Sequence, residues 1–333
     1  MREPSFWYGP PSLLSRLLSP LGALYGALTA LRMQRSGARI GIPVICVGNY
    51  HVGGAGKTPT TLVLADMLRA MGERPVVVSR GYGGDLKGPV RVHAEQHTAL
   101  SVGDEPLMMA ASVPVIVSHD RVAGAAMARE DGASVVLLDD GFQNPSLHKD
   151  ASLLVIDAAR GIGNGAVFPA GPLRAPLKPQ IARTDALIVV GQGSAADGVA
   201  RDVAARGGLV LRATLQPDET SLSALRGKRV LAFAGIGDPA RFFATLRAQG
   251  VEVIEGRAFA DHHPFTADEI ARLVEDAAKQ SLQLVTTEKD MARIRSDARL
   301  RAYVGSIATL PVTMVFDDAV KLRALVAARL AGT

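Results

Sequence analysis

Lys57 and Thr58 end the run Gly48-Asn-Tyr-His-Val-Gly-Gly-Ala-Gly-Lys-Thr58, whose residue types point to chemistry on phosphate. Gly53, Gly54 and Gly56 let backbone N–H groups turn inward around phosphate oxygens, and a helix opening behind them adds the positive end of its dipole. In such a loop Lys57 reaches the β- and γ-phosphates and Thr58 ligates Mg²⁺. The predicted nucleotide-binding set is therefore His51, Val52, Gly53, Gly54, Ala55, Gly56, Lys57 and Thr58. His51 stands where G-x-x-x-x-G-K-[ST] has its first glycine, and the glycines at 53 and 54 compensate. The competing reading is a structural glycine turn.

A second acidic feature, Val135-Val-Leu-Leu-Asp-Asp140, places Asp139 at the C-terminal mouth of a buried strand, where a carboxylate holds Mg²⁺ directly or through water. Asp140 is a second ligand candidate, and an acidic turn after a core strand is the plainer alternative. Guanine-specific switches carry N-K-x-D; the nearest string, Thr287-Glu-Lys-Asp290, lacks it, so ATP is preferred. Val52 occupies the position of the lysine that partitioning-type membrane ATPases place before the paired glycines. A kinase acting on a hydroxyl needs a base near the γ-phosphate. Asp104, in Gly103-Asp-Glu-Pro106, reads either as that base or as a helix N-cap. Ala260-Asp-His-His-Pro264 offers His262 and His263, whose adjacency disfavours a shared metal and favours catalysis or binding by one of them.

The elements that must position these groups follow from hydropathy. Ile40 to Val47 is an apolar, β-branched run that predicts a buried strand feeding the glycine loop, and Leu62, Leu64, Ala65, Leu68 and Met71 predict the helix after it. Further strands are predicted at Arg74 to Ser79, Val113 to Ser118, Ala151 to Ile156 and Ala186 to Val190, with a helix over Arg121 to Arg129. Repeated βα units imply a P-loop NTPase-type α/β fold, a doubly wound, mainly parallel sheet with ligands at its C-terminal edge. A second strand and helix, Arg229 to Ala234 and Pro239 to Gln249, follow the polar stretch Gln216 to Lys228. The predicted units are an N-terminal helix (1–38), a P-loop kinase domain (39–220) and a smaller C-terminal α/β domain (221–333) completing the cleft.

With 333 residues, 48% hydrophobic and 21% charged, the chain is globular rather than disordered, and its net charge of +5 suits anionic partners. The single cysteine, Cys46, lies in an apolar run, reads as a buried thiol, and excludes an internal disulfide framework. Leu14, Leu17, Leu18, Leu21, Leu24, Tyr25, Leu28 and Leu31 predict a helix with one leucine stripe, bent at Pro20, with Ser15, Gly22 and Gly26 on its other side. Its uncharged stretch covers roughly 22 Å against a hydrocarbon core of ~30 Å, so an in-plane anchor with Arg32, Arg35 and Arg39 at headgroups fits better than a span. A leucine-striped helix packed on the protein body is the alternative.

Eight segments in order give the chain a family resemblance: Val47-Gly-Asn with Gly53-Gly-Ala-Gly-Lys-Thr-Pro59, Ser79-Arg-Gly-Tyr-Gly-Gly84, Gly103-Asp-Glu-Pro106, Asp139-Asp-Gly-Phe-Gln143, Gly163-Asn-Gly165, Pro169-Ala-Gly-Pro-Leu-Arg174, Asp261-His262 and Thr287-Glu-Lys-Asp290. Over nearly its whole length it resembles the tetraacyldisaccharide 4′-kinases, the lipid A 4′-kinases of Gram-negative bacteria, whose loop also lacks the first glycine. The resemblance implies transfer of the ATP γ-phosphate, with Mg²⁺, to the 4′-hydroxyl of a tetraacylated glucosamine disaccharide 1-phosphate, giving lipid IVA for lipopolysaccharide. It implies Asp104 and His262 as the base pair beside Lys57, and Thr58, Glu105, Asp139 and Asp140 as metal-ligand candidates. It also implies residence at the cytoplasmic face of the inner membrane, with a glycolipid and the lipid surface as partners, no nucleic acid and no obligate protein partner. Ala175 and Asn144 depart from the family's usual glutamate and histidine. A membrane-anchored ATPase switch and a kinase of a soluble metabolite are the alternative functions.

Overall fold

The fully buried apolar runs of the sequence become the strands of two sheets. The structure, a computed structural model, describes residues 4–10 and 12–332; residues 1–3, Pro11 and Thr333, which fall in the expected first and last units, lie outside it. In chain order the first part comprises α1 (Leu13–Met33), β1 (Val44–Gly48), α2 (Lys57–Ala70), β2 (Pro75–Ser79), β3 (Val90–Arg91), α3 (Ala99–Val102), α4 (Asp104–Met109), β4 (Val115–Val117), α5 (Arg121–Glu130), β5 (Val135–Asp139), β6 (Ala151–Asp157), α6 (Leu177–Ile181), β7 (Ala186–Val190), α7 (Asp197–Ala205) and β8 (Leu209–Pro217). A second lobe follows, with α8 (Glu219–Leu225), β9 (Arg229–Ala234), α9 (Pro239–Ala248), β10 (Glu252–Ala258), α10 (Ala267–Lys279), β11 (Gln283–Thr287), α11 (Glu288–Ser296) and β12 (Ile307–Leu310). The chain then ends in β13 (Val312–Phe316) and α12 (Ala319–Ala331).

The large sheet has the order β13-β8-β7-β6-β1-β5-β2-β4-β3, parallel except at its two edges, where β13 and β3 run antiparallel to their neighbours. Alternate residues of the same strands feed opposite cores. Ile45, Val47 and Leu137 face Leu64 and Leu68 of α2, while Cys46, Val136 and Leu138 face Ala125 and Ala128 of α5. This period-2 division is why the strands read as unbroken apolar runs. The phosphate loop leaves β1 between β6 and β5, where successive connections turn to opposite sides, the usual ligand crevice of such sheets.

The second lobe carries a parallel sheet of order β10-β9-β11-β12, with separate apolar cores on its two faces. Its limits differ from the expected 221–333 unit at the C-terminal end. β13 pairs with β8 (Val312 opposite Pro217), and Leu322 and Val326 of α12 enter the core beneath the phosphate loop. The chain thus crosses between lobes twice, on adjacent antiparallel strands. Hydropathy alone marks residues 312–316 as a strand without saying which sheet receives it.

Helix α1 runs unbroken through Pro20, and its packed side is not the leucine stripe. Ser15, Gly22 and Gly26 are buried, whereas Leu13, Leu17, Leu21, Leu24, Leu28 and Leu31 are exposed. The Ser15 hydroxyl donates to the Ala170 carbonyl at 2.8 Å, and a Cβ on Gly22 would lie 2.6 Å from the Val167 oxygen. No helix among the described residues is long and apolar enough to cross a membrane. The chain's one tryptophan, Trp7, is buried before α1 and donates its indole N–H to the Pro169 carbonyl at 3.1 Å. Gly22→Leu, which cannot seat on Val167, is therefore expected to shift the tryptophan emission to the red and to raise its quenching by iodide. An unchanged spectrum would mean that the glycine does not set this docking.

Candidate active site

Gly56 precedes α2 with φ +93°, a left-handed backbone that glycine adopts at no steric cost, so the loop turns directly into the first helical N–H groups. Lys57 and Thr58 open that helix, as the spacing predicts. The Asn49 amide donates to the Gly53 carbonyl at 2.9 Å, closing the loop on itself. His51 is buried, with Nδ1 bonded to the Val52 carbonyl (2.9 Å) and Nε2 unpartnered. Burial, reinforced by the charges of Lys57 and Arg174, pushes its pKa down to about 4, so at neutral pH it is an uncharged imidazole in the place of the first glycine.

Asp139 ends β5 beside the loop, and Asp140 follows it with φ +50°. The two carboxylates have opposite fates. Asp140 faces Lys57 (3.8 Å) and accepts two hydrogen bonds from the Arg174 guanidinium (2.8 and 3.0 Å). Although burial opposes ionisation, these cations bring its pKa down to about 2. Asp139 accepts from the Ser79 hydroxyl at 3.1 Å, and its other oxygen is buried without a partner. Burial, with the charges of Glu105 and Asp140, raises it to about 7. An orphaned carboxylate oxygen, the Ser79 and Thr58 hydroxyls and the neighbouring Glu105 form a hard oxygen donor set, which fits Mg²⁺. Among the described residues no group of three or more acidic, histidine or cysteine ligands is gathered for an ion. That suits a cation taking most of its oxygens from nucleotide phosphates and water.

The sign of the Asp139 shift makes a prediction. A carboxyl whose folded pKa lies above its ordinary 3.8 favours folding at low pH and loses that contribution as pH rises through about 7. Asp139→Asn cannot ionise. In Mg²⁺-free buffer its melting temperature should therefore gain on the parent's between about pH 5 and about pH 8, while turnover falls. An equal difference at both pH values would show that the carboxylate is not strained.

The second cluster joins the two lobes. Asp104, buried at the start of α4, accepts from His262 Nδ1 at 2.8 Å and from Arg293 Nε at 2.8 Å, with Lys289 Nζ at 3.8 Å. Burial would raise its pKa, but the His262 hydrogen bond and the two cations hold the carboxyl well below the usual range. His262 lies in the loop after β10 with φ +59°, its ring tilted against Tyr82 at 5.5 Å. His263 turns away to Glu269 (3.0 Å). The N-cap reading of Asp104 is not observed, since the cap position of α4 is Gly103 without a side-chain bond. A cavity of about 640 Å³ opens on Asp104 and His262 and is walled by Tyr82, Leu100, Phe265 and Leu300.

Glu105 lies between the clusters, bonded to Lys289 (3.1 Å) and close enough to perturb Asp139. Sequence reasoning assigned no role to Arg174, Lys289 or Arg293, although Arg174 closes a quoted motif and Lys289 sits inside another. Arg293 follows the latter by one turn on α11 and also binds Asp290 (2.7 Å) and the Gly235 carbonyl (2.9 Å). Ala175 is buried, and its carbonyl accepts from the Gln180 amide (2.8 Å), so no carboxylate occupies that position. The Asn144 side chain bonds the Ser146 N–H (2.8 Å) as a local turn.

Residues 14–331 match the family model described as tetraacyldisaccharide-1-P 4′-kinase. The chain is 66% identical over 324 residues to a tetraacyldisaccharide 4′-kinase of Rhodopseudomonas palustris, covering 97% of this chain and 95% of that protein. It is 64% identical to one from Nitrobacter winogradskyi, covering 97% and 96%. Among solved structures, the "apo" form of LpxK from Aquifex aeolicus in complex with ATP superposes with a TM-score of 0.75 at 28% identity, covering 96% of this chain and all of that one.

Proposed function

Since the chain belongs to the tetraacyldisaccharide-1-P 4′-kinase family, and so is an ATP-dependent lipid kinase of lipid A biosynthesis, we propose that Lys57, Asp104 and His262 carry its transfer step. The observation that carries this reading is the Asp104–His262 hydrogen bond, which joins residues 158 positions apart beside an apolar-walled cavity.

Asp104 accepts the Nδ1 proton and thereby leaves Nε2 of the imidazole as the acceptor. The carboxylate itself, held far below its ordinary pKa by His262, Lys289 and Arg293, is a weak base and acts by orienting the ring. Nε2 takes the proton of the 4′-hydroxyl as its oxygen forms a bond to the γ-phosphorus. The bond from that phosphorus to the bridging oxygen breaks and ADP leaves. Lys57 and the loop N–H groups stabilise the charge that accumulates on the phosphates. Mg²⁺, when bound by Thr58, Asp139 and the neighbouring acids, supplies charge neutralisation at the β- and γ-oxygens. The cavity beside the pair receives the acceptor.

The exposed leucine face of α1, followed by Arg32 and Arg35, supports a peripheral seat at the cytoplasmic face of the inner membrane. The test of the reaction is incubation with labelled ATP, Mg²⁺ and detergent-dispersed disaccharide 1-phosphate. A labelled, more polar glycolipid is expected, and ATP hydrolysis without one would overturn the proposal.

A further inference from the structure

The phosphate loop leaves the C-terminal end of β1; a second charged concavity lies at the N-terminal ends of β6 and β7. This cleft of about 290 Å³ opens at the foot of α1, where Met33 and Arg35 meet His148, Lys149, Arg183 and Arg206. It lies about a strand's length, ~16 Å, from the phosphate loop.

Its cations lack acidic partners. Lys149 donates to the carbonyls of Asn144 (2.6 Å) and Leu147 (3.3 Å). Arg183 donates to the Pro179 carbonyl (3.0 Å), and Arg206 to those of Ala182 and Thr184 (2.6 Å each). Among the described residues no carboxylate pairs with any of them or with Arg35. The two nearby carboxylates are engaged: Asp185 by Arg329 (2.7 Å) and the Ser152 N–H (2.8 Å), Asp150 by Arg39 (3.4 Å) and the Val44 N–H (2.8 Å). Burial, with the charges of Arg121 and Arg183, pulls the Lys149 pKa down, as expected of a cation short of counter-charge.

We propose that this cleft binds the phosphate of an anionic phospholipid headgroup. The position favours a lipid over a free anion. An α1 lying in plane with its leucines at the acyl boundary brings the residues after its last turn to headgroup depth, and those residues line the cleft. The site lies at the sheet edge opposite the Asp104–His262 pair, which argues against the acceptor's own 1-phosphate. The inference rests on the reading of α1 as the membrane-facing element, and the experiment separates the two.

Full-length protein is floated with vesicles of phosphatidylcholine alone and with added phosphatidylglycerol. The parent is expected to prefer the anionic vesicles. Arg35→Gln, which alters an exposed side chain, and Lys149→Met with Arg183→Gln should each reduce that preference by about fivefold per cation removed. Arg183→Lys should retain most of it. Arg247→Gln with Arg272→Gln, removing equal charge from the second lobe, should leave it intact, and a parallel loss there would overturn the cleft in favour of bulk charge. Replacing Leu21, Leu24 and Leu28 with serine should weaken binding to both vesicle types. If it does so while the cleft variants keep full anionic preference, the α1 reading stands and the cleft proposal falls. If the parent binds neither vesicle, both fall. Inorganic phosphate should not compete at concentrations that spare ionic strength. If it does, or if the cleft variants raise KM for the acceptor in neutral detergent, the ligand is not a lipid headgroup.

Discussion

Lys57→Ala is expected to lower kcat by about 10²–10³-fold, the scale on which one preorganised charge stabilises a transition state, while leaving the folded protein's melting temperature nearly unchanged. The two halves of that expectation have separate causes. Lys57 opens α2 at the loop's exit, where the charge that grows on the transferring and leaving groups is concentrated. Its ion pair with Asp140, at 3.8 Å, is backed by the bidentate contact from Arg174, so Asp140 keeps a cation when Lys57 is gone. Steady-state kinetics beside a thermal melt checks both. Near-normal turnover would remove the phosphate-loop assignment, and a large loss of stability would recast Lys57 as mainly a structural partner of Asp140.

For the base pair, Asp104→Asn and His262→Ala are each expected to reduce kcat by about 10²–10⁴-fold, far more than they weaken ATP binding. The double variant should be little worse than the poorer single, because either change disables one proton path. Asparagine is the cleaner replacement. It keeps an oxygen for Arg293, whereas alanine would strand a buried guanidinium at a cost of about 3–5 kcal/mol. An asparagine amide can present N–H to the ring and so favour the wrong tautomer. The acidic limb of the kcat profile, where the imidazole takes up a proton, should disappear in His262→Ala. His263→Ala serves as a control, since His263 bonds Glu269 instead. Multiplying losses at 104 and 262, or a 263 variant that is the most damaged, would require a different base.

The phosphate loop, the acidic end of β5 and the buried strands were legible because each is written in contiguous residues: a glycine spacing, a hydropathy run and an acid at its end. The face of α1 was half legible. Spacing separates leucines from small residues, but only the nearby 164–176 segment shows that Gly22 and Gly26 are the side that docks, by approaching too closely for any side chain. Arg174 and Arg293 were opaque for another reason. Each acts on a carboxylate far away in sequence, Asp140 and Asp104, and no local period reports such a meeting. The same limit hid β13, whose apolar pattern fits either sheet, and which joins β8 because the second lobe's sheet ends at β12.

That last strand bears on how the enzyme comes into being. The methyl of Met314 lies 2.9 Å from where a Gly56 Cβ would stand, so the underside of the phosphate loop rests on a residue made almost at the end of translation. Leu322 and Val326 complete the same bed. A nascent chain that has emerged through β12 already holds every residue named in the transfer step, yet its nucleotide loop has no floor. The kinase therefore cannot mature one lobe at a time on the ribosome. A message truncated within its final codons yields not a weakened enzyme but a loop without support, a built-in check that only finished chains bind ATP.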